Sequence, residues 1–280
     1  MNIRNKNCVA SLEKMIHHNT TINSSKISSF VQKGEKIPVV FIHGFCEDSK
    51  VWIDFLVDFP DNYIICIDLP GFGKSDVIKN CSIRDMALIL YSVLKEHGIS
   101  RCLLVGHSMG GYVALEFAKQ FPKKISGLVL FHSQCYADSM SKIESRKRNI
   151  DFIRKNGAIH FVKQLIPNLF ASRFGSKSSL TISKLILWAS YYHEDGIINA
   201  LEAMIHRGEN QALLKNADYP VLFIVGEEDI AIPKENSINQ LVLPNISIIH
   251  ILLGVGHMGM FEAKKECVSI IKNFIAFIEQ

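Results

Sequence analysis

The chain has 280 residues, of which 48% are hydrophobic and 21% charged, with a formal net charge of +4. These proportions describe a globular chain and exclude a disordered or collagen-like one, and so small and dispersed a charge argues against a nucleic-acid partner. No run approaches the ~20 apolar residues of a membrane span, and the polar stretch 1–20, with no apolar segment behind Arg4 and Lys6, predicts no secretory signal.

In chain order, residues Ile16–Ile22 and Lys26–Val31 predict an antiparallel hairpin at a sheet edge. Six short apolar runs bounded by turn residues follow: Val39–Ile42, Ile64–Ile67, Cys102–Val105, Leu128–Phe131, Val221–Val225 and Ile248–Leu252. Continuous runs of this length, rich in Val and Ile, suit parallel strands buried on both faces. Helical stretches such as Ser82–His97 and Ser108–Phe121 lie between them, so the chain reads as right-handed βαβ units around a mostly parallel sheet, an α/β fold.

The run starts are separated by 25, 38, 26, 93 and 27 residues. A βα unit needs about 30 residues, so the fourth interval holds an excess of roughly 65. The organisation expected is a core of residues 1–136 and 217–280 interrupted by a helical cap over residues 137–216. Its helices are predicted at Met140–Lys155, Ala158–Leu169, Ser178–Tyr192 and Gly196–Arg207, with Phe161, Leu165, Ile166 and Leu169 recurring at helical spacing. A cap placed there would cover the carboxyl edge of the sheet, where open α/β sheets bind ligands. It carries 12 Lys and Arg against 7 Asp and Glu, a balance of +5, while the remainder has 19 against 20, or −1. The excess is densest at Lys142, Arg146, Lys147, Arg148, Arg154 and Lys155. A solvated helix face, with Ile143, Ile150 and Ile153 turned inward, accounts for this run; a field drawing anionic substrates is the sharper alternative.

The seven cysteines, Cys8, Cys46, Cys66, Cys81, Cys102, Cys135 and Cys267, are odd in number and form no C-x-x-C pair. Neither a metal site nor a disulfide framework is expected, and a reducing, cytoplasmic setting fits.

Chemistry concentrates at Gly106-His107-Ser108-Met109-Gly110-Gly111, which closes one apolar run and opens a helical stretch. A serine on so sharp a strand-to-helix turn has its hydroxyl raised at the sheet edge, and glycines two residues to either side remove the Cβ atoms that would collide. The helix that follows points its positive end at charge developing there. No Walker A or H-E-x-x-H motif is present, and Gly71-Phe72-Gly73 lacks the third glycine of a dinucleotide fingerprint, so no cofactor and no metal are expected.

With this turn the chain resembles the capped branch of the α/β-hydrolase superfamily, which holds small esterases, enol-lactonases, C–C bond hydrolases and cofactor-free haloperoxidases. The matching segments are His43-Gly44-Phe45 with Trp52, Asp68-Leu69-Pro70-Gly71-Phe72-Gly73-Lys74-Ser75, the serine turn, Gly226-Glu227-Glu228-Asp229 and Gly256-His257. The resemblance implies Ser108 as nucleophile, His257 as base and Asp229 as the acid orienting it, in the Ser–Asp–His order of this fold. His132 is an alternative base, and Glu227, Glu228 and Asp138 are alternative acids. It also implies an oxyanion hole made by the backbone N–H groups of Phe45 and Met109, with His43 supporting that loop. An aspartate nucleophile, as in related epoxide hydrolases and dehalogenases, is excluded by Ser108. The expected activity is hydrolysis of a small or medium carboxylic ester, lactone or thioester through an acyl-enzyme, with water as co-substrate. C–C cleavage by the same residues and a ligand-binding receptor with little turnover are the alternatives, and a homodimer is left open.

Overall fold

The computed structural model describes residues 15–174 and 180–280; Cys8, the rest of residues 1–14 and the start of the helix expected from Ser178 lie outside the described residues. Eight strands form one sheet: β1 (Ile16–Ile22), β2 (Ser25–Gln32), β3 (Val39–Ile42), β4 (Ile64–Ile67), β5 (Cys102–His107), β6 (Ile125–Phe131), β7 (Val221–Gly226) and β8 (Ser247–Leu252). Their spatial order is β1-β2-β4-β3-β5-β6-β7-β8. Strand β2 runs against both of its neighbours, and every other pair from β4 to β8 is parallel. The hairpin joining β1 to β2 turns through Asn23 and Ser24, both at positive φ (47° and 69°), the two-residue geometry whose twist matches that of paired strands.

Every residue of β3 to β7 is buried, which is why these strands read as unbroken apolar runs. Helices α1 (Ile53–Leu56), α2 (Ile83–Glu96) and α3 (Met109–Gln120) follow β3, β4 and β5. Helix α2 starts at a reciprocal cap, in which Ser82 Oγ accepts from Asp85 N–H and Asp85 accepts from Ser82 N–H. Helices α4 (Met140–Asn156), α5 (Ala158–Leu165), α6 (Leu180–Ala189), α7 (Glu194–Ile205) and α8 (Gln211–Lys215) all fall between β6 and β7. Helices α9 (Lys234–Leu241), α10 (Gly259–Glu262) and α11 (Lys264–Ile278) complete the chain.

Among the inserted helices the boundaries differ from the sequence expectation. The helix expected to run to Leu169 stops at Leu165 and tightens into a 3₁₀ turn over Ile166–Leu169, because Pro167 has no N–H to donate. The next two helices span Leu180–Ala189 and Glu194–Ile205; the second begins early because the His193 side chain accepts from Asp195 N–H and caps it. Close backbone packing is among the contacts that tie these inserted helices to the sheet loops. Gly71, at φ +86°, faces Gly196 of α7 so closely that a Cβ on Gly71 would sit 2.6 Å from Gly196 Cα.

The chain leaves β3 for β4 on one side and returns to β5 on the other. The loops after β3 and β5 therefore diverge, opening a crevice at the carboxyl ends of the strands, where such sheets bind ligands.

Candidate active site

Each residue of interest stands at the carboxyl end of a different strand: Phe45 after β3, Ser108 after β5, His132 after β6, Asp229 after β7 and His257 after β8. Ser108 adopts φ 50°, ψ −116°, an unfavourable conformation for a residue with a side chain, costing about 1–3 kcal/mol. The surroundings hold it there: Ser108 N–H donates to Phe131 O at 3.0 Å, and Ser133 Oγ–H donates to Ser108 O at 2.8 Å. The flanking glycines are required sterically. A Cβ on Gly106 would lie 2.5 Å from Gly110 O, and one on Gly110 would strike the carbonyl of Ile42.

Asp229 and His257 are both buried, and His257 Nδ1 donates to Asp229 Oδ2 at 2.7 Å. The other carboxylate oxygen accepts the N–H groups of Ala231 and Ile232, each at 2.9 Å, so the carboxylate cannot swing. Burial by itself would raise the Asp229 pKa. The His257 charge and hydrogen bond, with help from His132 and Ile232 N–H, outweigh burial and hold the carboxyl below its usual range. The alternative acids are engaged elsewhere. Glu227 accepts from Gly254 N–H, Glu228 from Ser172 Oγ, and Asp138 pairs with Arg146 and Arg207.

Ser108, His257 and Phe45 line one cleft of about 120 Å³, into which α4, α5 and α7 also project side chains. Roomier surface depressions of about 840 and 520 Å³ exist, but neither includes Ser108 or His257. The Ser108 hydroxyl and His257 form no hydrogen bond in this conformation; such contacts commonly tighten only when substrate binds. Among the described residues neither Phe45 N–H nor Met109 N–H has a protein acceptor, leaving both free to donate to a ligand oxygen.

Two carboxylates not anticipated from the sequence organise the cleft. Glu47 Oε2 accepts Gly44 N–H at 2.7 Å and His107 Nδ1 at 2.9 Å. The other nitrogen of that ring, Nε2, faces the carbonyl oxygen of His257 at 2.9 Å. Both ring nitrogens face oxygen acceptors, an arrangement that favours the doubly protonated ring of His107. Burial opposes that charge, but Glu47 outweighs it and raises the His107 pKa; reciprocally, His107 outweighs the burial of Glu47 and lowers its pKa. The pair links the loop bearing Phe45 to the loop bearing His257. Glu262, at the second position, accepts from Gly256, Met258 and Ala171 N–H groups. His257 N–H itself donates to Leu169 O at 2.7 Å, so an inserted segment also fixes this loop.

His132 is engaged differently from His257. Its Nε2 accepts Gly259 N–H at 3.2 Å, and its Nδ1 lies 3.7 Å from Asp229 Oδ2. Burial pushes its pKa well below the ordinary histidine value, leaving it neutral. His43 performs the supporting task expected of it: Nδ1 donates to Gly44 O at 2.8 Å, and Nε2 accepts Leu69 N–H at 2.9 Å.

The family model described as the alpha/beta hydrolase fold matches residues 37–153. A Bacillus subtilis (strain 168) protein provisionally named 2-succinyl-6-hydroxy-2,4-cyclohexadiene-1-carboxylate synthase is 30% identical over 259 residues, covering 86% of this chain and 90% of its own length. The chain is an α/β-hydrolase. Another relative of this α/β-hydrolase, the 2-hydroxy-6-oxononadienedioate/2-hydroxy-6-oxononatrienedioate hydrolase of Klebsiella pneumoniae subsp. pneumoniae, is 26% identical over 263 residues, 86% of this chain and 88% of that one. Among solved structures, a thermophilic esterase from Thermogutta terrifontis with malate bound superposes with a TM-score of 0.86 at 25% identity, over 95% of this chain and 99% of the other.

The six described cysteines of the α/β-hydrolase are free and buried. Burial raises their thiol pKa values, to about 12 for Cys81, Cys102, Cys135 and Cys267, so they are inert as nucleophiles at neutral pH.

Proposed function

We propose that this α/β-hydrolase cleaves a small or medium carboxylic ester through an acyl-enzyme on Ser108, with residues 137–216 acting as a cap over a core of 1–136 and 217–280. The observation that carries this reading is the buried Asp229–His257 pair, 2.7 Å apart, whose imidazole shares one cleft with a serine held at φ 50°. Ser108 Oγ attacks the carbonyl carbon while His257 Nε2 takes its proton. The carbonyl electrons move onto oxygen, which the N–H groups of Phe45 and Met109 stabilise. His257 then protonates the departing alkoxide. In the second half it deprotonates a water that attacks the acyl carbon, and Ser108 leaves with the returned proton.

The esterase relative supports this reading, as does the small cleft, well below the ~300–1,000 Å³ of typical ligand pockets. A second reading, hydrolysis of a C–C bond with the same residues, is favoured by the Klebsiella relative, whose name specifies a dioate hydrolase. No helix among the described residues is long and apolar enough to cross a membrane. Free thiols support a reducing, cytoplasmic setting.

The test is a panel of p-nitrophenyl esters of increasing acyl length, run with a fluorophosphonate label. Multiple turnovers, and labelling abolished by Ser108→Ala in a folded protein, are expected. Labelling that survives that substitution would refute the nucleophile, and single-turnover cleavage of every ester would favour a receptor over an enzyme.

A further inference from the structure

Helix α4 turns a polar face toward the nucleophile, where an inward helix face is ordinarily apolar. Lys142, Ser145, Arg146 and Asn149, spaced i, i+3, i+4 and i+7, all line the cleft that holds Ser108 and His257. The apolar side chains of α4 are used elsewhere: Ile150 and Ile153 are buried in the core. The opposite wall, which includes Phe161 and Leu201, is apolar.

The basic run of α4 therefore divides in two. Lys147, Arg148, Arg154 and Lys155 are exposed, and Lys147 and Arg154 pair with Glu144 and Glu202 on the surface. Lys142 and Arg146 face the cleft. Arg146 is ion-paired: the Asp138 carboxylate takes its Nε and also takes Arg207 Nη2 at 2.8 Å, so one negative charge faces two positive ones. One carboxylate thus serves two guanidinium groups and has nothing left for Lys142. The Lys142 ammonium has no carboxylate partner among the described residues; it donates to the Ala231 carbonyl at 3.3 Å, on the loop after Asp229. Burial and the charge of Arg146 lower its pKa, outweighing the Asp138 and Asp229 carboxylates, neither of which pairs with it directly. Unpaired charge withdrawn from water is costly, and an incoming anion would offset that cost.

We propose that Lys142 is the anchor of a carboxylate subsite, so that the substrate is a short acyl ester bearing a second, ionised carboxylate on its acyl chain. The inference rests on the hydrolase reading above for the reaction, and on the α4 geometry for the substrate class. The scissile carbonyl lies at Ser108 and the acyl methylenes against Phe161 and Leu201. The distal carboxylate meets Lys142, with Ser145 and Asn149 as additional donors.

Two probes test this separately from hydrolysis. The first compares mono-p-nitrophenyl glutarate with p-nitrophenyl valerate, which has the same chain length and no carboxylate. The native protein is expected to favour the glutarate ester in kcat/KM. Lys142→Met should lower the ratio between the two esters about 10- to 100-fold, mainly through KM, the range of one charge-assisted hydrogen bond. Lys142→Arg should restore most of it. A native preference for valerate, or a ratio unmoved by Lys142→Met in a protein with native melting behaviour, would overturn the subsite. The second probe is calorimetric binding of glutarate to the Ser108→Ala protein. Binding that weakens by the same factor on adding Lys142→Met supports the subsite, and the absence of binding refutes it. Glutarate binding with no turnover of either ester would leave the subsite standing and remove the esterase reading instead.

Discussion

Asp229 and Glu228 are adjacent carboxylates with opposite environments, and substituting each in turn separates position from composition. Asp229 is buried against His257, whereas Glu228 is exposed and touches Ser172 Oγ. Asp229→Asn is expected to lower kcat about 10⁴-fold by presenting the wrong hydrogen-bonding group to the imidazole. Glu228→Gln should stay within a few-fold, and equal losses from both would detach the acid from Asp229. The Glu47–His107 pair makes its own demand. Its members are 5% and 0% exposed, so removing one leaves a charge buried without its partner, a loss of about 3–5 kcal/mol. The signs of the two pKa shifts fix the pH window. The Glu47 contribution is present above its ordinary value of 4.5 and is lost as pH falls through its lowered folded value. The His107 contribution is complete below 6.5 and is lost as pH rises through its raised folded value. Melting temperature should therefore decline on the alkaline side in the native protein. In Glu47→Gln it should be lower throughout and flat over that alkaline range; an undiminished alkaline decline would show that His107 is not the group responsible.

Between elements, the contact of greatest consequence is Gly71 against Gly196, because it seats the inserted helix α7 on the loop after β4. Gly71→Ala would force a side chain into a left-handed conformation at φ +86° and into backbone 2.6 Å away, with no flexible group able to yield. A destabilisation of about 1–3 kcal/mol is expected, with KM rising more than kcat falls if α7 shifts over the cleft. Ester kinetics and a melting curve on the same preparation check this; native KM with a lowered melting temperature would confine the contact to stability. By contrast Gly98 and Gly157, also at positive φ, have open space around the missing Cβ, so alanine there is limited to the backbone cost.

Charge is partitioned over the whole molecule, with +5 on residues 137–216 and −1 on the remainder. A cleft roofed by the positive portion should raise the local concentration of an anionic ester. Exposed charges are screened beyond about 8–10 Å at physiological salt. The kcat/KM for mono-p-nitrophenyl glutarate is thus expected to fall as sodium chloride rises from 10 to about 300 mM, with that for the valerate ester nearly constant. Parallel salt profiles would reduce the exposed half of α4 to a solubilising surface. Acid should act through different groups. Burial keeps His132 neutral, so below its ordinary value of 6.5 the unfolded chain takes up a proton that the folded one refuses, and stability falls. Asp229, with its folded pKa lowered, adds a further loss at lower pH. Urea unfolding midpoints at pH 7 and pH 5 should therefore differ in favour of pH 7.

The apolar runs at Val39–Ile42 and Ile64–Ile67 coincide with β3 and β4 to the residue, because a strand buried on both faces leaves an unbroken hydrophobic signature. The serine turn was equally legible, since Gly106 and Gly110 are imposed by local backbone crowding. Ser108, Asp229 and His257 each follow an apolar run, which puts them at strand ends, and the family resemblance singled them out from their neighbours. Helix α11 also has a local signal, since Cys267, Ile271, Phe274 and Ile275 recur at helical spacing along its buried side. Other features had no local signal at all. Glu47 lies 60 residues from His107, Glu262 gathers N–H groups from two separate segments, and Asp138 joins Arg146 to Arg207. The same holds for the basic run of α4, where the neighbours Arg146 and Lys147 divide between the cleft and solvent according to the face each occupies in the packed helix. Periodicity and turn chemistry act over a few residues and so determine elements and their order. The partner of a charge, and the face a helix shows to a cavity, depend on groups brought together only when the sheet and the inserted helices pack, and the tertiary structure alone decides them.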